Sequence, residues 1–120
     1  MADILLVEDI PMQTTLLRRY LRDHHSVVGT AETADEAVEI ADEYSPDVVV
    51  MDLSLKRGDG ISATAEITAA NPSTAVIVST VAVGDDARTQ ATDAGADEYL
   101  IKPYSKAELL AAIDRVLTTT

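Results

Sequence analysis

VVVMDLSLKRGDG, residues 48–60, sets four apolar residues in a row and then an aspartate, Asp52, where the hydrophobic run stops. A run this short reads as a strand, and one that is apolar at every position reads as a strand buried on both faces. Gly58 and Gly60 allow the chain beyond it to turn sharply. A carboxylate at the end of a buried strand is ordinary by itself. What Asp52 does depends on how the neighbouring strands end.

The same pattern recurs on both sides. DILLV (3–7) reads as a buried strand, followed by Glu8, Asp9, Ile10 and Pro11 and then a helix with Leu16, Leu17, Tyr20 and Leu21 on one face. SVVGTA (26–31) is a weaker strand. Thr33-x-x-Glu36 is a capping box that opens a helix striped by Ala34, Ala37, Val38 and Ala41. Residues 59–70 form a third helix stopped by Asn71-Pro72, AVIVST (75–80) is an apolar strand ending in hydroxyls, and a fourth helix runs from Asp85 to Ala94. Residues 99–101 make a last short strand. Ser105-x-x-Glu108 caps a final helix with Leu109, Leu110, Ile113, Val116 and Leu117 inside. Five strands alternating with five helices, several strands being apolar throughout, predict an open doubly wound α/β fold with a parallel sheet covered on both faces.

The 120 residues fit one domain and bury roughly two thirds of the unfolded chain's surface. The formal net charge is −12, from 21 acidic and 9 basic residues. Nucleic acid and anionic membranes are bound by clustered Lys and Arg, so direct binding of either is not expected. A hydrophobic content of 47 % in periodic blocks excludes disorder as the reason for the charge. Zero cysteines exclude disulfides, thiol chemistry and zinc-thiolate sites, which suits a reducing cytoplasm. MADILLV has no basic stretch and only four consecutive strongly apolar residues, too few for a signal or membrane-inserted segment, so the expected location is the cytoplasm. Acid excess, scarce lysine (Lys56, Lys102 and Lys106) and the lack of Phe and Trp also fit adaptation to concentrated salt, which screens self-repulsion.

Parallel strands bring their carboxyl ends to one edge, where open α/β sheets bind ligands. The first strand ends in Glu8-Asp9, the third in Asp52, the fourth in Ser79-Thr80 and the fifth in Lys102. Singly, each has a structural reading: the acids cap a helix, Thr80 bonds backbone, Lys102 is solvated. Together they make a site. Three close carboxylates cannot all stay ionised unless a cation sits among them, and Mg2+ suits one or two carboxylates plus waters and phosphate oxygens. Lys102 and Thr80 supply a positive charge and a hydroxyl for an anion, and in that setting Asp52 is the candidate nucleophile for an aspartyl phosphate.

At LLVED (5–9), VVVMDLSLKRGDG (48–60), VIVST (76–80) and AGADEYLIKPY (94–104), with the separations among them, the chain resembles the receiver domains of two-component response regulators. The resemblance is closest to the single-domain, CheY-like chemotaxis type and covers essentially all residues 1–120. It implies a flavodoxin-like sheet of order 2-1-3-4-5 and no effector domain. It also implies Glu8, Asp9 and Asp52 as Mg2+ ligands with the backbone carbonyl of Ser54, Asp52 as phosphoacceptor, Thr80 as switch hydroxyl and Lys102 as phosphate partner. Tyr99 matches the aromatic that follows the switch, and the Lys102–Pro103 bond is expected to be cis. The output face implied is the fourth helix, fifth strand and fifth helix, including Tyr99, Tyr104 and Lys106, with the segment from Val81 moving. The implied donor is a sensor histidine kinase or phosphotransfer protein, and the implied target a downstream protein such as a motor switch or relay component. The protein is then no enzyme toward an external substrate, catalysing only its own phosphorylation and dephosphorylation.

Three positions depart from the family pattern. Lys56 stands where proline is usual, which predicts a more mobile loop; Val81 stands where a small residue is usual, and Glu8 where aspartate is commoner. Small side chains at Ser54 and Ala82 predict open access of water to the acyl phosphate and a short lifetime. A receiver fold used as a binding module without phosphorylation is the main alternative. An aspartate-based phosphatase is disfavoured because position 54 is Ser rather than Asp, and a nucleotide-binding domain because EDIPMQ lacks a glycine. His24-His25 has no partner ligands for a metal site.

Overall fold

The computed structural model describes residues 1–81 and 83–118. Its elements are β1 (Asp3–Val7), α1 (Pro11–Leu21), β2 (Ser26–Ala31), α2 (Ala34–Tyr44), β3 (Val48–Asp52), α3 (Gly60–Ala70), β4 (Ala75–Thr80), α4 (Asp85–Asp93), β5 (Glu98–Ile101) and α5 (Lys106–Thr118). All strand pairings are parallel, in the order β2-β1-β3-β4-β5. The fold is the doubly wound five-stranded sheet that the alternation of strands and helices predicts. No described helix is long and apolar enough to cross a membrane.

Strand residues alternate between the two faces of the sheet, so each all-apolar run serves two cores at once. Leu5, Val7, Val49, Met51, Val76 and Val78 pack beneath α2 and α3 with Ala37, Ala41, Ala63 and Ile67. Ile4, Leu6, Val48, Val50 and Ile77 pack beneath α1 and α5 with Leu17, Leu21, Leu109, Ala112 and Ile113. The central strands β1, β3 and β4 are therefore almost wholly buried, while β2 and β5, at the edges, are largely half-exposed.

Helix ends follow their local chemistry. Thr33 caps α2 by accepting the Glu36 N–H at 3.1 Å, and the Glu36 carboxylate accepts the Glu32 N–H at 3.3 Å. Ser105 accepts the Glu108 N–H at the start of α5, and Asp59 accepts the Ile61 N–H at the start of α3. Two residues stand apart: Leu16, of the apolar face read in the first helix, and Leu117, expected inside. Leu16 is 43 % exposed, because α1 meets the sheet through the narrower Leu17–Leu21 line, and Leu117 is 40 % exposed where α5 reaches the amino-terminal edge of the sheet beside Asp47 and Ala75.

The two glycines after Asp52 do different work. Gly58 adopts φ +85°, and a Cβ there would lie 2.4 Å from the Ala34 Cβ. Gly60 has no unusual φ. It is needed because a Cβ would lie 2.7 Å from the Asp52 carbonyl oxygen, so the start of α3 packs directly on the end of β3.

Candidate phosphoacceptor site

Register assembles the carboxyl edge. Val7 lies opposite Met51, which sets Glu8 beside Asp52; Asp52 lies opposite Ser79, and Thr80 opposite Ile101, which brings Lys102 to the same edge. Lys102 donates its N–H to the Thr80 carbonyl at 2.8 Å, fastening the residue after β5 to the end of β4. The Lys102–Pro103 peptide is cis.

One oxygen from each of Glu8, Asp9 and Asp52 lies within 4.8 Å of the others. Glu8 and Asp52 are buried at 3 % and 2 % exposure, and Asp9 is half-buried. Neither Glu8 nor Asp9 caps α1, whose N-cap is Ile10 with no side-chain hydrogen bond and whose first turn holds no acid. The Asp52 Oδ1 accepts the Ser54 N–H at 2.9 Å, and its Oδ2 lies 3.7 Å from the Lys102 ammonium. Ser54 itself is exposed. The Lys102 Nζ donates to Glu8 Oε2 at 2.7 Å and to Gln13 Oε1 at 2.5 Å.

The second oxygen of Glu8 decides what the cluster can hold. Oε1 is buried and no donor reaches it, the only such side-chain atom among the described residues. A buried carboxylate oxygen without a donor is costly, and a cation removes that cost. Burial holds the Glu8 carboxyl above its ordinary range, with the neighbouring Asp52 pushing the same way and Lys102 opposing. The acidic triad therefore fits a hard divalent ion bound through oxygen.

The other expected residues take distinct places. Thr80 is fully buried at the end of β4, and Val81 beyond it is 64 % exposed. Tyr99 is half-buried in β5 with the Arg88 guanidinium 4.7 Å from its ring centre, and Lys106 is exposed at the start of α5. Tyr104, expected on the same output face, instead turns inward: it packs against the α1/α5 core and its hydroxyl shares a 2.7 Å hydrogen bond with Ser79 Oγ. Burial pushes its phenol up to about 12. Ser79 meets it because residues 77 and 79 share the face toward α1 and α5, whereas Thr80 points to the opposite side.

Sequence reading missed Gln13, a polar residue in the first turn of α1 whose pattern is that of any solvated helix position. Lys56 also reads differently in three dimensions. Its backbone N–H donates to Asp9 Oδ2 at 2.9 Å, and the next carbonyl, of Arg57, accepts the Ala34 N–H at 3.2 Å. The loop expected to be loose is tied at both places, and proline, lacking an N–H, could not make the first tie. Ala82 lies outside the described residues. His25 accepts the Ala2 N–H through Nδ1 at 3.0 Å, a structural role near the chain start.

Comparison with known proteins agrees with this geometry. Residues 4–114 match the family model for the response regulator receiver domain. The chain is 38 % identical over 115 residues to the chemotaxis protein CheY of Halobacterium salinarum, covering 96 % of each. Among solved structures it is similar to a LuxR-family two-component response regulator from an Aurantimonas species, with a TM-score of 0.91, 35 % identity and coverage of 98 % of this chain and 85 % of that one. It is also similar to the receiver domain of the sensor histidine kinase PA1611 from Pseudomonas aeruginosa, solved with magnesium in its active-site cleft, at a TM-score of 0.88 and 32 % identity, covering 98 % of both. A parallel sheet of this order, an acid cluster at its carboxyl edge and a family match over nearly the whole chain lead to one conclusion: this protein belongs to the response regulator receiver domain family.

Proposed function

We propose that the protein is a phosphorylation-dependent signalling switch whose input is Asp52. A carboxylate oxygen of Asp52 attacks the phosphorus of a phosphohistidine on a sensor kinase or phosphotransfer protein. The P–N bond breaks, its electrons leave with the imidazole, and an acyl P–O bond forms. Water later attacks the same phosphorus, releasing inorganic phosphate and restoring the carboxylate. No external substrate is turned over.

Glu8, Asp9 and Asp52 would hold Mg2+, with the Ser54 carbonyl as a further ligand; the magnesium ion in the Pseudomonas receiver's cleft supports that choice. Such an ion, when bound, neutralises charge on the phosphoryl oxygens. Lys102 contributes a positive charge 3.7 Å from Asp52, and Thr80 a buried hydroxyl at the next strand end. Phosphorylation adds charge and acceptor oxygens that draw both residues in, displacing Val81 and changing the setting of Tyr99. About 1 to 3 kcal/mol of such coupling changes partner affinity severalfold or more. Output passes through α4, β5 and α5, with Tyr99 and Lys106 on the reading surface. The switch is read as acting in the cytoplasm on a protein target; similarity to the Halobacterium chemotaxis protein favours chemotaxis, and the charge of −12 favours work in concentrated salt.

The observation that carries this reading is the grouping of three carboxylates beside the Lys102 ammonium, with Glu8 Oε1 buried and reached by no donor. Intact-mass measurement after incubation with Mg2+ and acetyl phosphate tests it. The parent gains one phosphoryl mass and Asp52→Asn gains none; no gain by the parent, or equal gain by both, refutes the assignment.

A further inference from the structure

We infer that Gln13 is a positioning residue that parks the Lys102 ammonium on the α1 side of the cleft, so that closing Lys102 onto a phosphoryl group at Asp52 breaks the Gln13 contact. The inference rests on the reading of Asp52 as phosphoacceptor. Lys102 Nζ sits at hydrogen-bond distance from two acceptors, Glu8 Oε2 at 2.7 Å and Gln13 Oε1 at 2.5 Å, whereas Asp52 Oδ2 is 3.7 Å away. An ammonium has three donors, and two of them are committed away from the nucleophile.

The two tethers differ in kind. Glu8 holds Lys102 by charge and belongs to the acid cluster, so a cation among the acids competes for that charge. Gln13 is a neutral amide outside the cluster, and its hold on Lys102 does not weaken when the acids are neutralised. Its backbone is held in place. The Gln13 N–H donates to the Ile10 carbonyl at 3.0 Å behind Pro11, and the side chain lines a pocket of about 220 Å³ with Leu17, Tyr20, Pro103 and Tyr104. Gln13 therefore sets how readily the switch closes once the cation is present. A hydrogen bond to a charged group is large enough for its loss to change the closing equilibrium about tenfold.

The test uses Mg2+ with beryllofluoride, a stable mimic of the aspartyl phosphoryl group, followed by nuclear magnetic resonance on the intact chain. Gln13→Met, which keeps the length and helix preference but removes the amide, lowers the half-saturating beryllofluoride concentration about tenfold. Gln13→Asn, whose amide is too short to reach, shifts it the same way. Both variants move the Lys102 side-chain ammonium resonance in the free protein, and parent and variants share one ammonium resonance once saturated. An unmoved ammonium resonance in the free variants, an unchanged or raised midpoint, or different resonances at saturation overturns the inference. A parent that takes up no beryllofluoride at all overturns instead the reading of Asp52 on which it rests.

Discussion

Glu8 is buried and its acidity is set by that burial, with consequences for stability as well as for the site. Its folded-state pKa lies above the ordinary 4.5, so the folded protein takes the proton more readily than the unfolded chain. The group's contribution to stability is complete below 4.5 and is lost as pH rises through the raised folded value. Glu8→Gln should flatten the decline in metal-free stability between acidic and neutral buffers, read from urea midpoints. Its Mg2+ affinity should fall about tenfold or more, since even residues that only support a metal ligand are worth about that much. An unaltered pH slope would show that the Glu8 carboxyl titrates alike in both states. At this scale the sequence was legible where chemistry coincides with a strand end, as at Glu8, Asp52, Thr80 and Lys102. Gln13 and the inward turn of Tyr104 were not, because a polar helix position and a loop tyrosine look solvated until the fold sets a partner beside them.

The segment joining β3 to α3 shows how elements share a constraint. Lys56 N–H bonds Asp9, Arg57 carbonyl bonds Ala34 N–H, and Gly58 rests against Ala34, so the loop bridges the acid cluster and the start of α2. A donor on the Asp9 carboxylate draws on the negative charge that a cation would use. Lys56→Pro, which deletes the donor, should raise Mg2+ affinity about threefold beyond Lys56→Gln, which loses only the charge, in calorimetric titrations. Equal affinities in the two variants would show that the N–H bond is without influence. Strands and capped helix starts were readable because their periods and caps are local. The exposure of Leu16 and Leu117 was not, since which part of an apolar stripe meets the sheet depends on how the helix lies across it.

For the molecule as a whole, alternation of strands and helices predicts a covered parallel sheet but leaves several strand orders open; the order 2-1-3-4-5 followed from family resemblance. Composition speaks at this scale more directly. With 21 acids against 9 basic residues, like charges crowd a small surface, and salt should relieve them. The thermal midpoint should rise by several degrees between dilute and molar potassium chloride. A flat response would mean that the net charge costs the fold little.

The two-sided alternation of the strands gives the carboxyl edge one more property. Asp52 and Ser79 continue the series that faces α1 and α5, whereas Thr80 continues the series that faces α3. Ser79 reaches Tyr104 on one side, and Thr80 leads into Val81 on the other. The proposed phosphoryl charge on Asp52 would therefore enter on the α1/α5 side beside Ser79, with Thr80 one residue further along β4 on the other, so that neighbouring residues of one strand end lead into two helical layers.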